Sequence, residues 1–404
     1  MKDKDLTVVI VNDFDYIQGG ASKVAIDTAK LLHKNKVNVI YFSATHKKND
    51  YPFKQITTNQ KECLTDGIKG AIRGIYNFKA AKEFTKLLKT LDRNKTIIHV
   101  HGWTKSLSSS IFRIANKENF KVILTLHDYF TVCPNGGFFN YKKCKICKKK
   151  AMSLDCMLTN CDSRNYLFKI YRCIRQFVQN INIKKSDNLN IVSISDFSFD
   201  KLKNYDLKKL NIEKIYNPIS IEKNKRVNIE KNKYYIYVGR ISQEKGVDIF
   251  CKAIDELKLD AIVVGDGSEK CKLEKKYNSN KIKFVGWQDT ASVEKYFQQA
   301  KCLVFPSRWY EGAPLTILEA LSKGIPCIVS NQCAGIEFIN KNNGIIYDGT
   351  TSEDLKNKIL KYEKLNIKEL GEKTYNYYWE KPYDESRYIS NIINFYYKCI
   401  KKQG

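Results

Sequence analysis

Residues 302–323 read CLVFPSRWYEGAPLTILEALSK, and this stretch shows how the chain is built. A short apolar run ends at Phe305, a loop follows, and a helical pattern begins near Pro314, a residue suited to the first turn of a helix. A strand that leads through a short loop into a helix is the repeating unit of a parallel α/β sheet. The free amides of that first turn, with Gly312 and Ala313, are suited to hold a phosphate or a sugar hydroxyl.

The same unit recurs on both sides of this stretch, in two successive series. Short β-branched runs predict buried parallel strands, and segments with helical spacing lie between them. The predicted strands are 6–11, 37–42, 96–100, 122–126 and 191–194 in the first series, and 234–238, 261–264, 282–285, 302–305 and 327–329 in the second. The predicted helices are 21–32, 78–91, 104–117, 166–184, 245–257, 289–300, 314–323 and 352–363. The pattern predicts an α/β protein with two doubly wound, Rossmann-like domains that face a cleft.

The domain boundaries follow from these series. The first domain is predicted to span residues 1–216 and to carry a cysteine-rich insert at 133–161. The second is predicted at 217–380, with a polar linker or loop near its start. Residues 381–404 form a C-terminal segment in which apolar side chains recur at helical spacing, so we expect a helix that packs back on the first domain.

Composition narrows the functional class. The chain has 404 residues, 28% of them charged, and a formal net charge of +27. A basic chain attracts phosphates in nucleic acids, anionic membranes or phosphorylated ligands, although a lysine bias can also reflect genome composition alone. No apolar run approaches the length of a membrane span, and the N-terminus lacks the apolar core of a signal peptide. We therefore expect a cytoplasmic protein, either free or attached to the inner face of the plasma membrane, whose thirteen cysteines are reduced.

Two loops of the second series carry residues suited to a diphosphate. Arg240 and Lys245 lie on one short loop after the strand at 234–238, and Arg supplies a fork of donors where Lys supplies a point charge. Glu311 and Glu319 flank the start of the helix near Pro314, where two carboxylates can accept hydrogen bonds from hydroxyls of an extended ligand. For an isolated pair, a loop charge and a surface helix residue would be the simpler interpretation.

The order of these motifs resembles that of retaining glycosyltransferases of family 4, which have the GT-B fold. The similarity covers most of residues 6–348 and leaves out the insert region at 133–185. The matching elements are Gly19-Gly20, His99-Val100-His101-Gly102, Thr125-Leu126-His127-Asp128, Ser193-Ile194-Ser195, Tyr216-Asn217-Pro218, the Arg240/Lys245 loop, the Glu311/Glu319 pair and Gly324-Ile325-Pro326.

The resemblance assigns roles to these residues. The second domain would bind the nucleotide of the donor, and the first would bind the acceptor. His127 and Glu311 are implied as catalytic residues, with His101 and Asp128 on the acceptor side. The residues implied to bind the donor are Gly19, Gly20, Arg240, Lys245, Gly312, Ala313, Leu315, Thr316 and Glu319. For each histidine, the alternative is a packed residue at the end of a strand.

The resemblance also implies a mechanism. The acceptor would attack the face from which the diphosphate departs, so the anomeric configuration would be retained. Cationic side chains and helix amides can stabilise the charge that develops on the diphosphate, so no cofactor is required for catalysis.

The insert has a separate signature. Cys144 and Cys147 have the spacing of metal ligands, and Cys156 and Cys161 form a looser second pair, so a structural zinc is one hypothesis and a cluster of reduced thiols is another. After the insert, an apolar helical face at 167–177 lies among basic residues. It is typical either of a helix that packs on the core or of one that contacts an anionic membrane.

The sequence therefore predicts a hexosyltransferase that moves a sugar from a nucleotide-sugar donor to a hydroxyl of a cell-surface glycan or a lipid-linked glycan. A nucleotide-sugar epimerase or a phosphorylase on the same scaffold is the alternative. A zinc-containing nucleic-acid-binding protein is a more distant one, because it leaves the motifs of the second half unexplained, and we expect no nucleic-acid partner.

Overall fold

The first domain is built on a parallel sheet. The computed structural model describes residues 6–184, 188–203, 205, 211–277, 281–348 and 351–401. Within them the first sheet has seven strands in the order β3-β2-β1-β4-β5-β8-β9, and every pairing is parallel. The strands are β1 (Thr7–Phe14), β2 (Asn38–Thr45), β3 (Lys54–Thr57), β4 (Thr96–Val100), β5 (Lys121–Leu126), β8 (Leu189–Ser193) and β9 (Asn211–Lys214).

The second domain repeats the design. Among the described residues its sheet has six parallel strands in the order β12-β11-β10-β13-β14-β15. They are β10 (Tyr234–Val238), β11 (Ala261–Val264), β12 (Ile282–Gly286), β13 (Ala300–Phe305), β14 (Cys327–Ser330) and β15 (Gly344–Tyr347). The prediction of two doubly wound parallel sheets is confirmed.

Helices cover both sheets. Those of the first domain are α1 (Gly20–Lys34), α2 (Gly67–Ile75), α3 (Phe78–Leu88), α4 (Ser110–Lys117), α5 (Leu154–Leu158), α6 (Tyr166–Lys184) and α7 (Asp196–Asp200). The remaining helices are α8 (Val247–Glu256), α9 (Lys270–Lys276), α10 (Thr290–Phe297), α11 (Leu315–Ser322), α12 (Ser352–Glu363), α13 (Ile367–Glu380) and α14 (Glu385–Lys401). The insert adds a small antiparallel hairpin of β6 (Phe139–Asn140) and β7 (Lys145–Ile146).

The last helix, α14, crosses back to the first domain. Its residues Tyr388, Ile392 and Tyr396 are buried in the same apolar cluster as strands β1 and β2. Two hydroxyls fix its position, because that of Tyr396 lies 2.6 Å from His99 Nδ1 and that of Tyr388 lies 2.7 Å from Thr28 Oγ1. The end of the chain therefore closes over the first sheet.

Helix α6 is turned with its polar side inward. Lys169, Gln176 and Gln179 are buried, whereas Leu167 and Phe177 are 75% and 61% exposed. The buried polar groups find partners: the amide of Gln179, for example, accepts from Trp103 Nε1 at 2.9 Å and donates to the carbonyl of Phe130 at 2.6 Å. The interpretation of the apolar face of this helix as core-packing is therefore wrong.

Among the helices of the described residues, none combines the length and the apolar character needed to cross a bilayer.

Candidate active site in the cleft

A cavity of about 340 Å³ lies between the two domains, at the carboxyl ends of the strands. The second domain supplies the ends of β10 and β13 and the loop that leads into α11. The first domain supplies the start of α1 and the segment that follows β5. Parallel α/β sheets place ligand sites at this edge, so the topology assembles the site from distant parts of the sequence.

An ion pair lies in the wall formed by the second domain. Lys245 Nζ lies 2.5 Å from Glu311 Oε1, and both side chains are largely buried. The carboxylate of Glu311 also lies 3.4 Å from Trp309 Nε1 and 3.4 Å from Ser307 Oγ. Lys245 ends a short 3₁₀ turn and is followed by Gly246 in the left-handed region (φ 68°), where a Cβ would meet the Pro306 carbonyl at 2.0 Å.

The N-terminus of α11 also faces the cavity. Gly312, Ala313, Leu315 and Thr316 all line it. The first amides of a helix have no intrahelical acceptor and carry partial positive charge, so this end of α11 suits an anion.

Glu319 lies one turn further along α11 and does not line the cavity. It is partly buried, and desolvation raises its pKa, an effect opposed by Lys23 and Lys323. Because Lys23 belongs to α1, a positive charge of the first domain acts on this carboxyl group.

The first domain presents a glycine turn to the cavity. Gly20 lines the cavity, and Gly19 precedes it. Ser22 Oγ holds the turn by accepting the amide of Gly19 at 3.0 Å. A Cβ added at either glycine would meet nothing within 4 Å, so packing within the protein does not require glycine there. The open space leaves the start of α1 accessible to a ligand.

Three histidines form a line beneath the cavity. His127 lines it, and its Nε2 lies 2.9 Å from Nδ1 of His101, which is buried. His99 lies behind them, with Nε2 2.7 Å from Thr125 Oγ1. Burial lowers the pKa of His99 to about 3, that of His127 to about 4, and that of His101 well below its usual range. All three imidazoles are therefore neutral at pH 7.

Asp128 completes the wall on the first domain. Burial raises the pKa of its carboxyl group to about 6, against the lowering effects of the Phe130 amide and Arg175. Its Oδ1 accepts the amide of Phe130 at 2.9 Å. A carboxyl group that titrates near pH 6 beside a neutral histidine suits proton transfer near neutral pH.

Arg240 is placed differently from its predicted neighbour Lys245. Its side chain is 61% exposed and does not line the cavity, and its guanidinium lies 2.7 Å from Glu244 Oε1. Of the two cations predicted for a diphosphate, the structure therefore places Lys245 at the cavity and Arg240 at its margin.

Sequence reasoning missed some residues of the site. Trp309 and Tyr310 line the cavity, and so does Asn217, whose Oδ1 is buried without a hydrogen-bond partner in the described part of the chain. Asn217 belongs to the Tyr216-Asn217-Pro218 motif, to which the resemblance assigns no role. The two aromatic residues are partly buried and lie in the stretch 302–323, where a Trp-Tyr pair directly before Glu311 is the available signal.

The cysteines of the insert are not grouped as a metal site. Within the described ranges, no three His, Cys, Asp or Glu side chains lie close enough together to hold a metal ion. Cys144 Sγ lies 3.6 Å from the Arg308 guanidinium, Cys156 Sγ lies 3.4 Å from Lys169 Nζ, and Cys161 Sγ lies 3.4 Å from Asn135 Nδ2. Cys147 is partly buried, and its amide donates to the Phe138 carbonyl at 2.6 Å. Zinc bound by these thiols stays a prediction.

Comparison with known proteins identifies the second domain as similar to a transferase family. Residues 219–378 match the family described as "Glycosyl transferases group 1". A Klebsiella pneumoniae relative, described as an uncharacterized 41.2 kDa protein in the cps region, is 24% identical over 79% of this chain and 82% of its own length. The Escherichia coli UDP-Gal:alpha-D-GlcNAc-diphosphoundecaprenol alpha-1,3-galactosyltransferase is 32% identical over 31% of this chain and 34% of its own length.

Solved structures share the whole architecture. Sucrose-phosphate synthase from Thermosynechococcus elongatus superposes with a TM-score of 0.71 and 14% identity, covering 98% of this chain and 100% of that one. Anabaena HepE in complex with UDP-glucose superposes with a TM-score of 0.66 and 15% identity, covering 97% and 100%. These similarities confirm the GT-B fold, and the family match with the named relatives supports a glycosyltransferase.

Proposed function

We propose that this chain is a retaining glycosyltransferase of family 4. It transfers a hexosyl group from a nucleoside diphosphate sugar to a hydroxyl of a cell-surface glycan or a lipid-linked acceptor. The observation that carries the proposal is the cavity in which Lys245, Glu311 and the N-terminus of α11 face Gly20 and His127. It combines a cation and helix amides for a diphosphate with a carboxylate and an imidazole for a sugar.

The donor lies across the cleft in this proposal. Its diphosphate binds between Lys245 and the amides at the start of α11, and Gly19-Gly20 approaches it from the other side. Glu311 accepts hydrogen bonds from the donor sugar, and Glu319 accepts them from the ribose. Arg240, which now pairs with Glu244, turns toward the diphosphate when the nucleotide binds.

The chemical step breaks one bond and forms one bond at the anomeric carbon. The bond to the diphosphate oxygen breaks, and its electron pair leaves with the diphosphate. The acceptor oxygen attacks the same face, and its proton passes to the departing phosphate oxygen. Lys245 and the helix amides stabilise the negative charge that develops in this step. Stabilisation by preorganised charges and dipoles is usually the largest single contribution to enzyme catalysis.

His127 and Asp128 act beside the reacting carbon. Because His127 is neutral, it brings no positive charge against the oxocarbenium-like transition state and can accept a hydrogen bond from a sugar hydroxyl. Asp128 and His101, which supports His127, lie on the acceptor side.

The relatives support a choice of donor and acceptor class. The HepE structure holds UDP-glucose, and the name of the E. coli relative specifies a UDP-linked donor and a sugar on a diphosphate-linked polyprenol. We therefore propose a UDP-sugar as the donor and an acceptor that is assembled at a membrane.

A screen of nucleotide sugars tests the proposal. A UDP-sugar should raise the melting temperature of the protein, and it should be consumed faster when a glycan acceptor is added. The anomeric configuration of the product, read by NMR, should match that of the donor. Failure of every nucleotide sugar to bind would contradict the proposal, and turnover to an isomeric nucleotide sugar without an acceptor would favour an epimerase.

We also propose that the enzyme works in the cytoplasm at the inner face of the plasma membrane. An apolar docking face on the first domain supports this. It consists of exposed side chains on α2, α5 and α6: Ile68, Ile72, Leu154, Leu158, Leu167, Ile170, Ile174 and Phe177. Exposed lysines, including Lys61, Lys69 and Lys79, lie on or beside α2, so apolar side chains and positive charge occur together, as in helices that lie on anionic bilayers.

Vesicle sedimentation tests the docking face. The wild-type protein should sediment with vesicles that contain phosphatidylglycerol and much less with pure phosphatidylcholine. The variant Leu167→Ser/Ile174→Ser/Phe177→Ser should stay in the supernatant. A matched variant of exposed apolar residues on the second domain, Leu360→Ser/Leu365→Ser/Tyr377→Ser, should bind like the wild type. Equal binding of both variants would contradict the membrane proposal.

A further inference from the structure

A second cavity, larger than the first, opens between the insert and the second domain. This insert cavity has a volume of about 870 Å³. The insert contributes residues around the β6–β7 hairpin, and the second domain contributes Arg308, Tyr310 and Gln332. Its volume is within the range of ligand-binding cavities.

The lining is strongly basic. Five of its residues carry a positive charge, and none of the described residues that line it is an Asp or a Glu. The five positively charged residues are Lys143, Lys145, Lys148, Lys149 and Arg308.

Two of these charges are already compensated, because Lys149 pairs with Asp155, and Arg308 holds Asp248 in a two-pronged contact of 2.9 and 2.6 Å. Lys143, Lys145 and Lys148 have no ion-pair partner in the described part of the chain. Three uncompensated ammonium groups around one cavity raise its local positive potential.

The lysines are held by ordered structure. Phe139 is fully buried at the base of the hairpin, and Asn140 Oδ1 accepts the amides of Lys142 and Lys143, each at 3.1 Å. The amide of Cys147 donates to the Phe138 carbonyl at 2.6 Å. A hairpin fixed in this way presents its charges without a large loss of backbone freedom when a ligand binds.

One residue joins the two cavities. Tyr310 lines both the insert cavity and the cleft cavity, and its ring packs against Phe197, with centroids 5.8 Å apart, and against Phe138, with centroids 6.5 Å apart. A molecule in the insert cavity therefore lies next to the place proposed for the donor sugar.

We propose that the insert cavity binds the anionic part of the acceptor, a diphosphate or a carboxylate, and that Lys143, Lys145 and Lys148 recognise it. This inference rests on the proposed function, and it adds the chemical class of the acceptor. Two sources supply such a group: the diphosphate of a lipid carrier, or an acidic sugar of the glycan. The apolar docking face reaches this rim, because Leu158 of α5 precedes Thr159, which lines the cavity.

Binding measurements with defined probes test the inference. The protein is saturated with UDP, so that the cleft is occupied, and titrated with inorganic pyrophosphate, a short-chain prenyl diphosphate sugar and a tetrasaccharide of glucuronic acid. The variant Lys143→Ala/Lys145→Ala/Lys148→Ala should lose about 10- to 100-fold in affinity for at least one probe. Lys-to-Arg changes at the same three positions should restore binding.

The control is a variant of three exposed lysines on the second domain, Lys341→Ala/Lys364→Ala/Lys368→Ala, which should bind like the wild type. If the alanine variant at positions 143, 145 and 148 loses affinity for pyrophosphate and the prenyl diphosphate, the anionic group belongs to the lipid carrier. If it loses affinity for the tetrasaccharide, the anionic group belongs to an acidic sugar. Absence of binding to all three probes by the wild type, or an equal loss in the control, would overturn the inference. Failure of UDP itself to bind would instead count against the proposed function.

Discussion

Among single side chains, Lys245 has the clearest energetic role in the cleft. It forms a largely buried ion pair with Glu311 and also lines the cleft cavity, where it can contact a second negative group, that of a ligand. Removal of one partner from such a pair leaves the other charge without compensation. The amine therefore serves both the proposed diphosphate and the orientation of Glu311.

The change Lys245→Ala should lower kcat/KM about 100- to 1000-fold, in the range seen when one stabilising donor is removed from a transition state. The melting temperature should also fall, because the largely buried Glu311 loses its cation and keeps only the 3.4 Å contacts to Trp309 Nε1 and Ser307 Oγ. Turnover is therefore compared at a temperature well below the melting point of the variant. Lys252→Ala, which removes an exposed lysine of α8, is the matched control. A variant at position 245 that keeps full turnover would remove Lys245 from the diphosphate site.

Gly20 and Gly265 are glycines for different reasons: we expect ligand binding to require glycine at position 20 and folding to require it at position 265. Gly20→Ala should leave stability unchanged or slightly higher, because a Cβ there meets nothing within 4 Å, and alanine favours helices. It should weaken binding of the nucleotide sugar. Gly265→Ala should instead destabilise the fold, because a Cβ there meets the Gly239 carbonyl at 1.9 Å and the backbone has φ +138°. Melting curves and donor titrations of both variants check this, and unchanged donor binding by Gly20→Ala would contradict it.

Helix α14 is anchored to the first domain by the hydroxyl of Tyr396, and we expect this contact to contribute to stability. Tyr396→Phe removes the hydroxyl that lies 2.6 Å from Nδ1 of buried His99. An unpaired buried polar group costs about 1–3 kcal/mol, so the free energy of unfolding should fall by that amount. Tyr377→Phe on α13, where the side chain is 47% exposed, should be nearly neutral. Equal effects of the two changes in urea unfolding would show that the anchor contributes nothing.

The central strands could be predicted from the sequence because they are buried on both faces. Runs such as 234–238 and 261–264 are continuously apolar or aromatic, and the structure gives the same bounds. In the two large sheets, the strands that the sequence does not predict are β3, β9 and β15. They lie at sheet edges and are only partly buried, so their residues lack that pattern.

For α6 the sequence predicted the helix but not its orientation. An apolar stripe usually faces the core, whereas here buried polar side chains bond to loops that are distant in sequence. Residues that line the cavity could be picked out where the loops after strands carry recognisable motifs, as at His127 and Lys245. Its aromatic wall depends on how the two domains meet, which spacing along the chain does not encode.

For the whole molecule, the interface between domains concentrates groups whose protonation differs between the folded and unfolded states. Burial lowers the pKa values of His99, His101 and His127 and raises those of Asp128 and Glu319. Between pH 6.5 and 4 the unfolded chain binds protons at the histidines that the native state does not bind. Acidification therefore destabilises the protein through them. The carboxyl groups act in the opposite sense, because the native state binds their protons first.

The contribution of one histidine can be isolated as a slope. With a pKa of about 3 in the folded protein, His99 stays neutral while its unfolded counterpart takes up a proton below pH 6.5. As the pH falls from about 5.5 to 4, His99 should therefore reduce the free energy of unfolding by about 1.4 kcal/mol for each pH unit. His99→Gln should flatten the pH dependence by this slope, whatever constant loss the missing hydrogen bonds cause. Urea unfolding at a series of pH values measures the slope, with exposed His33→Gln as the control. If both variants keep the wild-type slope, His99 is not held neutral in the native state.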